Sequence, residues 1–92
     1  MKKLYSEIMI SEEPNDKLLI EIAEKLISEF KVESIRTIYD LDSLYWDFKI
    51  DSEITTLHQQ TFIGITIFPK ELANATIKAN QIVEEIGFKL NK

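Results

Sequence analysis

The sequence contains no cysteine and a single histidine, His58. Without cysteine there is no disulfide, and a lone imidazole makes a poor metal site unless several carboxylates converge on it. A chain of 92 residues therefore lacks both of the supports that small domains often use. We expect the fold to depend on apolar packing or on an oligomer, without metal or cofactor, in a reducing compartment such as the cytoplasm.

Glycine is scarce too, with two residues in the chain, so the sequence offers no glycine-rich loop to hold a phosphate. None of the six serines lies in the G-x-S-x-G pattern of a nucleophile elbow. Residues 40–51 have the length of a calcium-binding loop, but Tyr45 stands where that loop requires glycine. We predict that the protein is not an enzyme; the alternative is a small hydrolase that uses His58 with Asp51 or Glu53.

Long apolar runs are missing as well. The longest uncharged stretch, residues 54–69, includes threonines, two glutamines and His58, a composition that does not suit a membrane span. The opening residues, MKKLYSEIMIS, contain no apolar run long enough for a signal peptide. We predict a soluble, cytoplasmic protein that does not bind membranes.

Positive charge is in short supply over the first half of the chain. The net charge is −5, but residues 7–53 carry thirteen acids against five bases, which is −8, while the two ends together carry three acids and six bases. Without a basic stripe to neutralise phosphates, direct nucleic-acid binding is disfavoured. The acidic field serves either solubility alone or attraction to a basic protein partner, such as a nuclease with a lysine- and arginine-rich groove.

What the sequence does have is regular spacing of apolar residues. Residues 44–50, LYWDFKI, alternate between apolar and mostly polar, which is typical of a half-buried strand. Residues 60–68, QTFIGITIF, are apolar on both sides, which predicts a strand inside the sheet with cover on both faces. Within residues 17–30, apolar side chains recur at intervals of three and four, which predicts an amphipathic helix that starts near Pro14.

These segments predict the element order β-α-β-β-β-α(-β). Further elements are strands at residues 3–10 and 35–39, a helix at residues 70–86 closed by Gly87, and a short edge strand at residues 88–90. Residues 54–59 are either another strand or a loop. The predicted fold is a single α+β domain over residues 1–92, with a mostly antiparallel four-stranded sheet and two helices packed on one face. We predict the strand order 2-3-4-1, with 1-2-3-4 as the alternative.

A turn at residues 40–43 sets the register between the second and third strands. The facing pairs on the helix-covered side are then Tyr39 with Leu44, Thr37 with Trp46 and Ile35 with Phe48. On the other side Arg36 lies opposite Asp47, an opposite-charge pair expected to contribute about 0.5 kcal/mol.

The candidate contact residues for a protein partner follow from this arrangement. Tyr45, Phe62 and Phe68 are expected to share the sheet face turned away from the helices, where the chain itself, a second copy or a foreign protein covers them. Together with the acidic turns, this face gives the predicted partner-binding set: Asp40, Asp42, Tyr45, Asp47, Asp51 and Glu53.

In size, acidity and lack of catalytic groups, the chain is similar to bacterial immunity proteins and other inhibitors of nucleases. That similarity implies a non-enzymatic inhibitor or antitoxin that docks a basic partner, such as a nuclease toxin. The alternative is a homodimeric accessory or regulatory domain whose open sheet face pairs with its own copy.

Overall fold

A five-stranded antiparallel sheet and two helices form the part of the chain that the computed structural model describes, residues 7–30, 32–70 and 76–90. The elements in chain order are β1 (Ile8–Ser11), α1 (Asp16–Glu29), β2 (Glu33–Asp40), β3 (Ser43–Ile50), β4 (Glu53–Gln60), β5 (Gly64–Pro69) and α2 (Ile77–Leu90). The α+β class is confirmed, and the predicted count of four strands is wrong. Part of the first predicted strand, residues 3–6, lies outside the described residues.

The additional strand is β4, which contains residues 54–59. The strand order is β1-β5-β4-β3-β2, and every neighbouring pair is antiparallel. The predicted order 2-3-4-1 therefore lacked one strand, and the alternative order with the first strand beside the second is wrong. Apolar alternation is weak in β4, because Leu57 is its one apolar residue on the helix-covered side and the buried Thr55 lies two positions away.

The strand predicted at residues 60–68 begins later than expected. Gln60 ends β4, residues 61–63 form a turn, and β5 starts at Gly64 with a φ of 122°. A Cβ atom at Gly64 would lie 2.1 Å from the carbonyl oxygen of Ser11, so only glycine lets the two segments approach this closely. Phe62 consequently lies in the turn and is not on the sheet face to which it was assigned.

One face of the sheet carries the hydrophobic core. Side chains from the sheet and from both helices form a single buried cluster: Leu19, Ile22, Ala23, Leu26, Val32, Phe48, Leu57, Ile65, Ile67, Val83 and Ile86. β5 contributes Ile65 and Ile67, both fully buried, and lies between two other strands, as predicted for the interior strand. Because α1 and α2 share this cluster, they cover the same face.

The two helices begin at polar caps. The side chain of Asn15 accepts a hydrogen bond from the backbone N–H of Leu18 at 3.1 Å, which starts α1 close to the predicted position. The hydroxyl of Thr76 accepts from the N–H of Ala79 at 2.9 Å in the same way, so α2 begins there. Residues 71–75, inside the helix predicted from residue 70, lie outside the described residues.

The end of α2 differs from the prediction. The helix continues through residues 88–90 to Leu90, so the predicted edge strand is wrong. Gly87 is buried inside the helix and does not close it, because its missing side chain makes room for β1. A Cβ atom there would lie 2.6 Å from Cγ2 of Ile8.

The β2–β3 register follows the prediction with one exception. Tyr39 faces Leu44, Thr37 faces Trp46 and Arg36 faces Asp47. The ladder shifts between Ser34 and Arg36, so Phe48 faces Ser34 and the predicted pairing with Ile35 is wrong. The turn is tighter than the predicted four-residue loop, because Asp40 and Ser43 are themselves paired.

Among the described residues, neither helix is long and apolar enough to cross a bilayer.

Candidate functional site

The six predicted contact residues do not form one surface. Asp40 and Asp42 lie at one end of β3, while Asp51 and Glu53 lie in and beside the turn at its other end. Since β3 has eight residues, the two groups are separated by about 25 Å. Glu53 is also engaged within the chain, because its Oε1 accepts a hydrogen bond from the hydroxyl of Thr76 at 3.0 Å.

Asp47, the fifth acid of the set, lies between these ends and is 2% exposed. Its carboxylate accepts three side-chain hydrogen bonds: from Thr56 Oγ1 at 2.8 Å, Lys70 Nζ at 2.9 Å and Arg36 Nε at 3.2 Å. Burial by itself raises the pKa of Asp47, but the bonds from Lys70, Thr56 and Arg36 outweigh it and hold the pKa below the ordinary value. We call these four residues the Asp47 cluster.

The Asp47 cluster ties separate strands together. Arg36 belongs to β2, Asp47 to β3 and Thr56 to β4, while Lys70 follows β5 directly. Two cations and a hydroxyl thus satisfy one carboxylate across four neighbouring strands. This arrangement indicates a structural role for Asp47 and leaves little of its charge for a partner.

Tyr45, the sixth residue of the set, is half-buried against His58. The two rings stack with their centroids 4.4 Å apart, and His58 also meets the edge of Phe68 at 5.8 Å. Burial lowers the pKa of His58, with the charge of Glu7 acting weakly in the opposite direction. On the sheet face turned away from the helices, the imidazole of His58 therefore covers part of the expected aromatic patch of Tyr45 and Phe68.

The hydrolase alternative requires His58 to meet Asp51 or Glu53, and the structure does not bring them together. Glu53 and His58 lie five residues apart on β4, which is about 17 Å along an extended strand. Their odd separation also directs their side chains to opposite faces of the sheet. Within the described ranges, no group of three histidine or acidic side chains is arranged to hold a metal ion.

The structure instead draws together the turns at the other end of the sheet. The backbone N–H and the hydroxyl of Thr61 both donate to the carbonyl oxygen of Asp42, at 3.1 and 3.2 Å, which links the β2–β3 turn to the β4–β5 turn. Three large apolar side chains project here into solvent: Leu41 is 101% exposed, Phe62 83% and Tyr39 77%.

The start of α1 lies at the same end. Gln59 bridges to it, since its Oε1 accepts from the N–H of Asn15 at 2.9 Å and its Nε2 donates to Asp16 at 2.8 Å. We call the combined surface, residues 11–17, 39–43 and 59–64, the turn end. It carries five acids against one base, Lys17, a balance of −4; the acids are Glu12, Glu13, Asp16, Asp40 and Asp42.

Two depressions open beside these residues. A groove of about 400 Å³ runs between α1 and the β2–β3 hairpin, lined mainly by Leu19, Ile20, Tyr39, Leu44 and Trp46. A smaller cleft of about 160 Å³ continues it into the turn end, where it is lined by Asp16, Leu41, Asp42 and Thr61 among others. The turn end therefore combines exposed apolar side chains, carboxylates and concave surface.

Sequence reasoning assigned Asp40 and Asp42 to a partner surface, missed the exposed Leu41 and Tyr39 beside them, and placed Phe62 on the sheet face. Leu41 carried a signal, because a leucine between two aspartates in a turn has no core to enter. Phe62 was hidden by its neighbours, since residues 60–68 alternate as if they were one strand.

No protein-family model, no curated protein and no solved structure matches this chain. The choice of function therefore depends on the chemistry of the turn end itself.

Proposed function

We propose that the protein is a non-enzymatic binding module that docks a basic protein partner through the turn end. The observation that carries this proposal is Leu41, which is fully exposed and has a φ of 48°. Residues other than glycine, asparagine and aspartate seldom adopt this left-handed conformation. An apolar side chain held in solvent on an unfavourable backbone adds nothing to the core, and it has the properties expected of a contact residue.

The surroundings of Leu41 support a protein interface. Exposed Phe62 and Tyr39 provide large apolar contact area, and aromatic residues are enriched among the residues that dominate binding energy. Asp16 and Asp42 line the same cleft as Tyr39 and Leu41, as polar groups border an apolar centre in protein interfaces. Such a surface complements a partner that presents an apolar pocket edged by lysine and arginine.

The balance of −4 at the turn end defines the class of partner. Concentrated acidic charge accelerates association with basic proteins and repels acidic ones, and its effect weakens as salt is added. Nucleases are one such class, because their substrate grooves bind phosphates. An inhibitor or immunity protein for a nuclease toxin is accordingly the specific form of this proposal.

Capture experiments with matched baits test the proposal. The wild-type protein, an Asp42→Lys variant and a Glu24→Lys variant are each immobilised and exposed to lysate of the source cell. Asp42→Lys and Glu24→Lys change the net charge equally, but Glu24 is an exposed residue of α1 outside the turn end. We expect wild-type and Glu24→Lys baits to retain a basic protein that the Asp42→Lys bait loses.

The association rate of that captured protein then provides the quantitative test. At low salt the rate for Asp42→Lys should fall about tenfold, and the difference should shrink at high salt. Equal rates for the two lysine variants would remove the turn end as the contact surface. An acidic captured protein would contradict the proposed partner class.

A further inference from the structure

The two edges of the sheet are unequal. β1 is a four-residue strand with an irregular register against β5, and α2 packs beside it. β2 has eight residues, all of them exposed, and it pairs only with β3 among the described strands. Its regular part, Arg36 to Asp40, presents a row of backbone N–H and C=O groups that no second strand of the described ranges pairs with.

The sequence of this exposed edge is self-complementary. Read in antiparallel fashion against itself about Ile38, the segment Arg36–Thr37–Ile38–Tyr39–Asp40 places Arg36 opposite Asp40 of the second copy, and Asp40 opposite Arg36. Both charge pairs and the central Ile38–Ile38 contact fall on the sheet face turned away from the helices. Opposite charges and apolar pairs directly across a ladder stabilise it, whereas registers that face like charges are disfavoured.

The direction of the backbone groups agrees with this register. A two-residue hairpin closes on a hydrogen-bonded pair, here Asp40 with Ser43, and bonded residues then alternate along the strand. Asp40, Ile38 and Arg36 are therefore bonded to β3, and Thr37 and Tyr39 point their N–H and C=O groups outward. The register centred on Ile38 sets Thr37 opposite Tyr39 of the second copy, so the outward groups meet.

The groove beside β2 supplies a second fit. It opens on the helix-covered side, and Thr37 is among the residues that line it. In the self-paired arrangement, Tyr39 of the second copy lies across from Thr37 on that same side. Tyr39 is 77% exposed in a single chain, and in the dimer its ring can pack on the apolar residues at the mouth of the groove of the second copy.

From these observations we infer that the protein forms a two-fold symmetric homodimer by antiparallel pairing of β2 with β2 of a second copy, which joins two five-stranded sheets into one of ten strands. The contact is isologous, since each chain contributes the same five residues. This inference does not rest on the proposed function, because it is argued from the backbone and register of β2. The two surfaces share Tyr39 and Asp40, whereas Leu41, Asp42 and Phe62 belong to the partner surface alone.

The charge pairs provide a test by exchange. At both symmetric positions, Asp40→Arg places an arginine opposite Arg36 of the other copy, and Arg36→Asp places an aspartate opposite Asp40 of the other copy. Each variant alone should dimerise at least about tenfold more weakly than wild type in sedimentation across a dilution series from millimolar to micromolar. An equimolar mixture of the two should form a heterodimer, because every facing pair is again opposite in charge.

Two further variants guard against misfolding and unspecific charge effects. Thr37→Pro removes an outward N–H that β3 does not use, so the fold should survive while the dimer is lost. Asp42→Arg makes the same charge change as Asp40→Arg but in the turn, and it should leave the dimer intact. Circular dichroism checks that each variant folds. If Arg36→Asp does not fold, comparison of Thr37→Pro with Asp42→Arg still tests whether the dimer forms through β2.

The result expected is a wild-type dimer that Thr37→Pro and Asp40→Arg dissociate and Asp42→Arg does not. A wild-type protein that stays monomeric at millimolar concentration overturns the inference. A dimer indifferent to Thr37→Pro and Asp40→Arg overturns it too, since the copies then meet elsewhere. Slow amide exchange at Thr37 and Tyr39 that appears only on adding a lysine-rich peptide would assign the edge to a foreign strand and reject self-pairing.

Discussion

Acids on the same β2–β3 hairpin are in two contrasting environments. Asp47, within β3, is buried and receives hydrogen bonds from Arg36, Lys70 and Thr56. Asp42, in the turn five residues earlier, is exposed beside an exposed leucine. The comparison teaches that position on the sheet, rather than the number of acids, decides whether a carboxylate stabilises the fold or is accessible to a partner.

Removing the buried charge should give the largest effect. Asp47→Asn keeps the size of the side chain but leaves two cations facing a neutral group, and we expect the free energy of unfolding to fall by about 2 kcal/mol. Urea denaturation measures this change. Asp42→Asn is the matched control, an identical substitution at an exposed position, for which we expect a change within about 0.5 kcal/mol.

Acid titration sharpens the same contrast. Since the pKa of Asp47 is lowered from its ordinary value of 3.8, its contribution to stability is present above that value and is lost as the pH falls through the folded-state pKa. Asp47→Asn should remove this part of the acid dependence. Equal stability losses in Asp47→Asn and Asp42→Asn would show that the hydrogen bonds of the Asp47 cluster contribute nothing.

Relieving the backbone at the turn end should have a smaller effect of opposite sign. Leu41→Asn places a residue that tolerates the left-handed conformation at a φ of 48°, so we expect stability to rise by about 0.5–1 kcal/mol. Thermal or urea unfolding measures the gain. Binding of the basic partner should weaken at the same time, because the apolar contact is gone.

Phe62→Asn separates the two consequences of that change. Phe62 is exposed in the neighbouring turn and is not among the residues with positive φ, so its replacement should weaken partner binding without a gain in stability. If Leu41→Asn destabilises the protein, the leucine supports the fold, and the argument that it is a contact residue fails.

The smallest effect concerns pH near neutrality. Burial lowers the pKa of His58 from 6.5, so at pH values between the folded-state pKa and 6.5 the unfolded chain binds more protons than the folded one. The contribution of neutral His58 is therefore full above pH 6.5 and is lost as the pH falls toward the folded-state pKa.

Since His58 is the only histidine, stability measured between about pH 7.5 and 5.5 isolates its contribution. His58→Phe, which retains a ring next to Tyr45, should flatten the profile. A wild-type stability that rises on acidification over this range would contradict a buried neutral imidazole.

Local patterns predicted the parts of the fold in which one face is strongly apolar. The stripe of α1 and the alternation of residues 44–50 identified their elements, and the turn at residues 40–43 gave the register in which Arg36 faces Asp47. The sequence left residues 54–59 open between a strand and a loop, because β4 presents one leucine and a buried threonine to the helices. The pairing of β4 depends on the strands on either side of it, and the apolar spacing within one segment carries no information about such neighbours.

The candidate site was predictable only in part, for a related reason. Asp40 and Asp42 were assigned to a partner surface from charge alone, and the structure places them at the turn end. Asp47 has the same chemical character in the sequence, but its three donors come from residues 9 to 23 positions away in the chain. The position of Phe62 in a turn was not predicted, because that turn ends where the backbone of Gly64 approaches Ser11.

Gly87 has a consequence for the order in which the molecule assembles. Its hydrogen faces Ile8 of β1, whose one neighbour among the described strands is β5. During synthesis, the earliest strand described acquires its strand partner and this helix contact only after β5 and most of α2 have emerged from the ribosome. Because local hairpins close before contacts between distant segments form, we expect the β2–β3–β4 hairpins to pair before β1 docks.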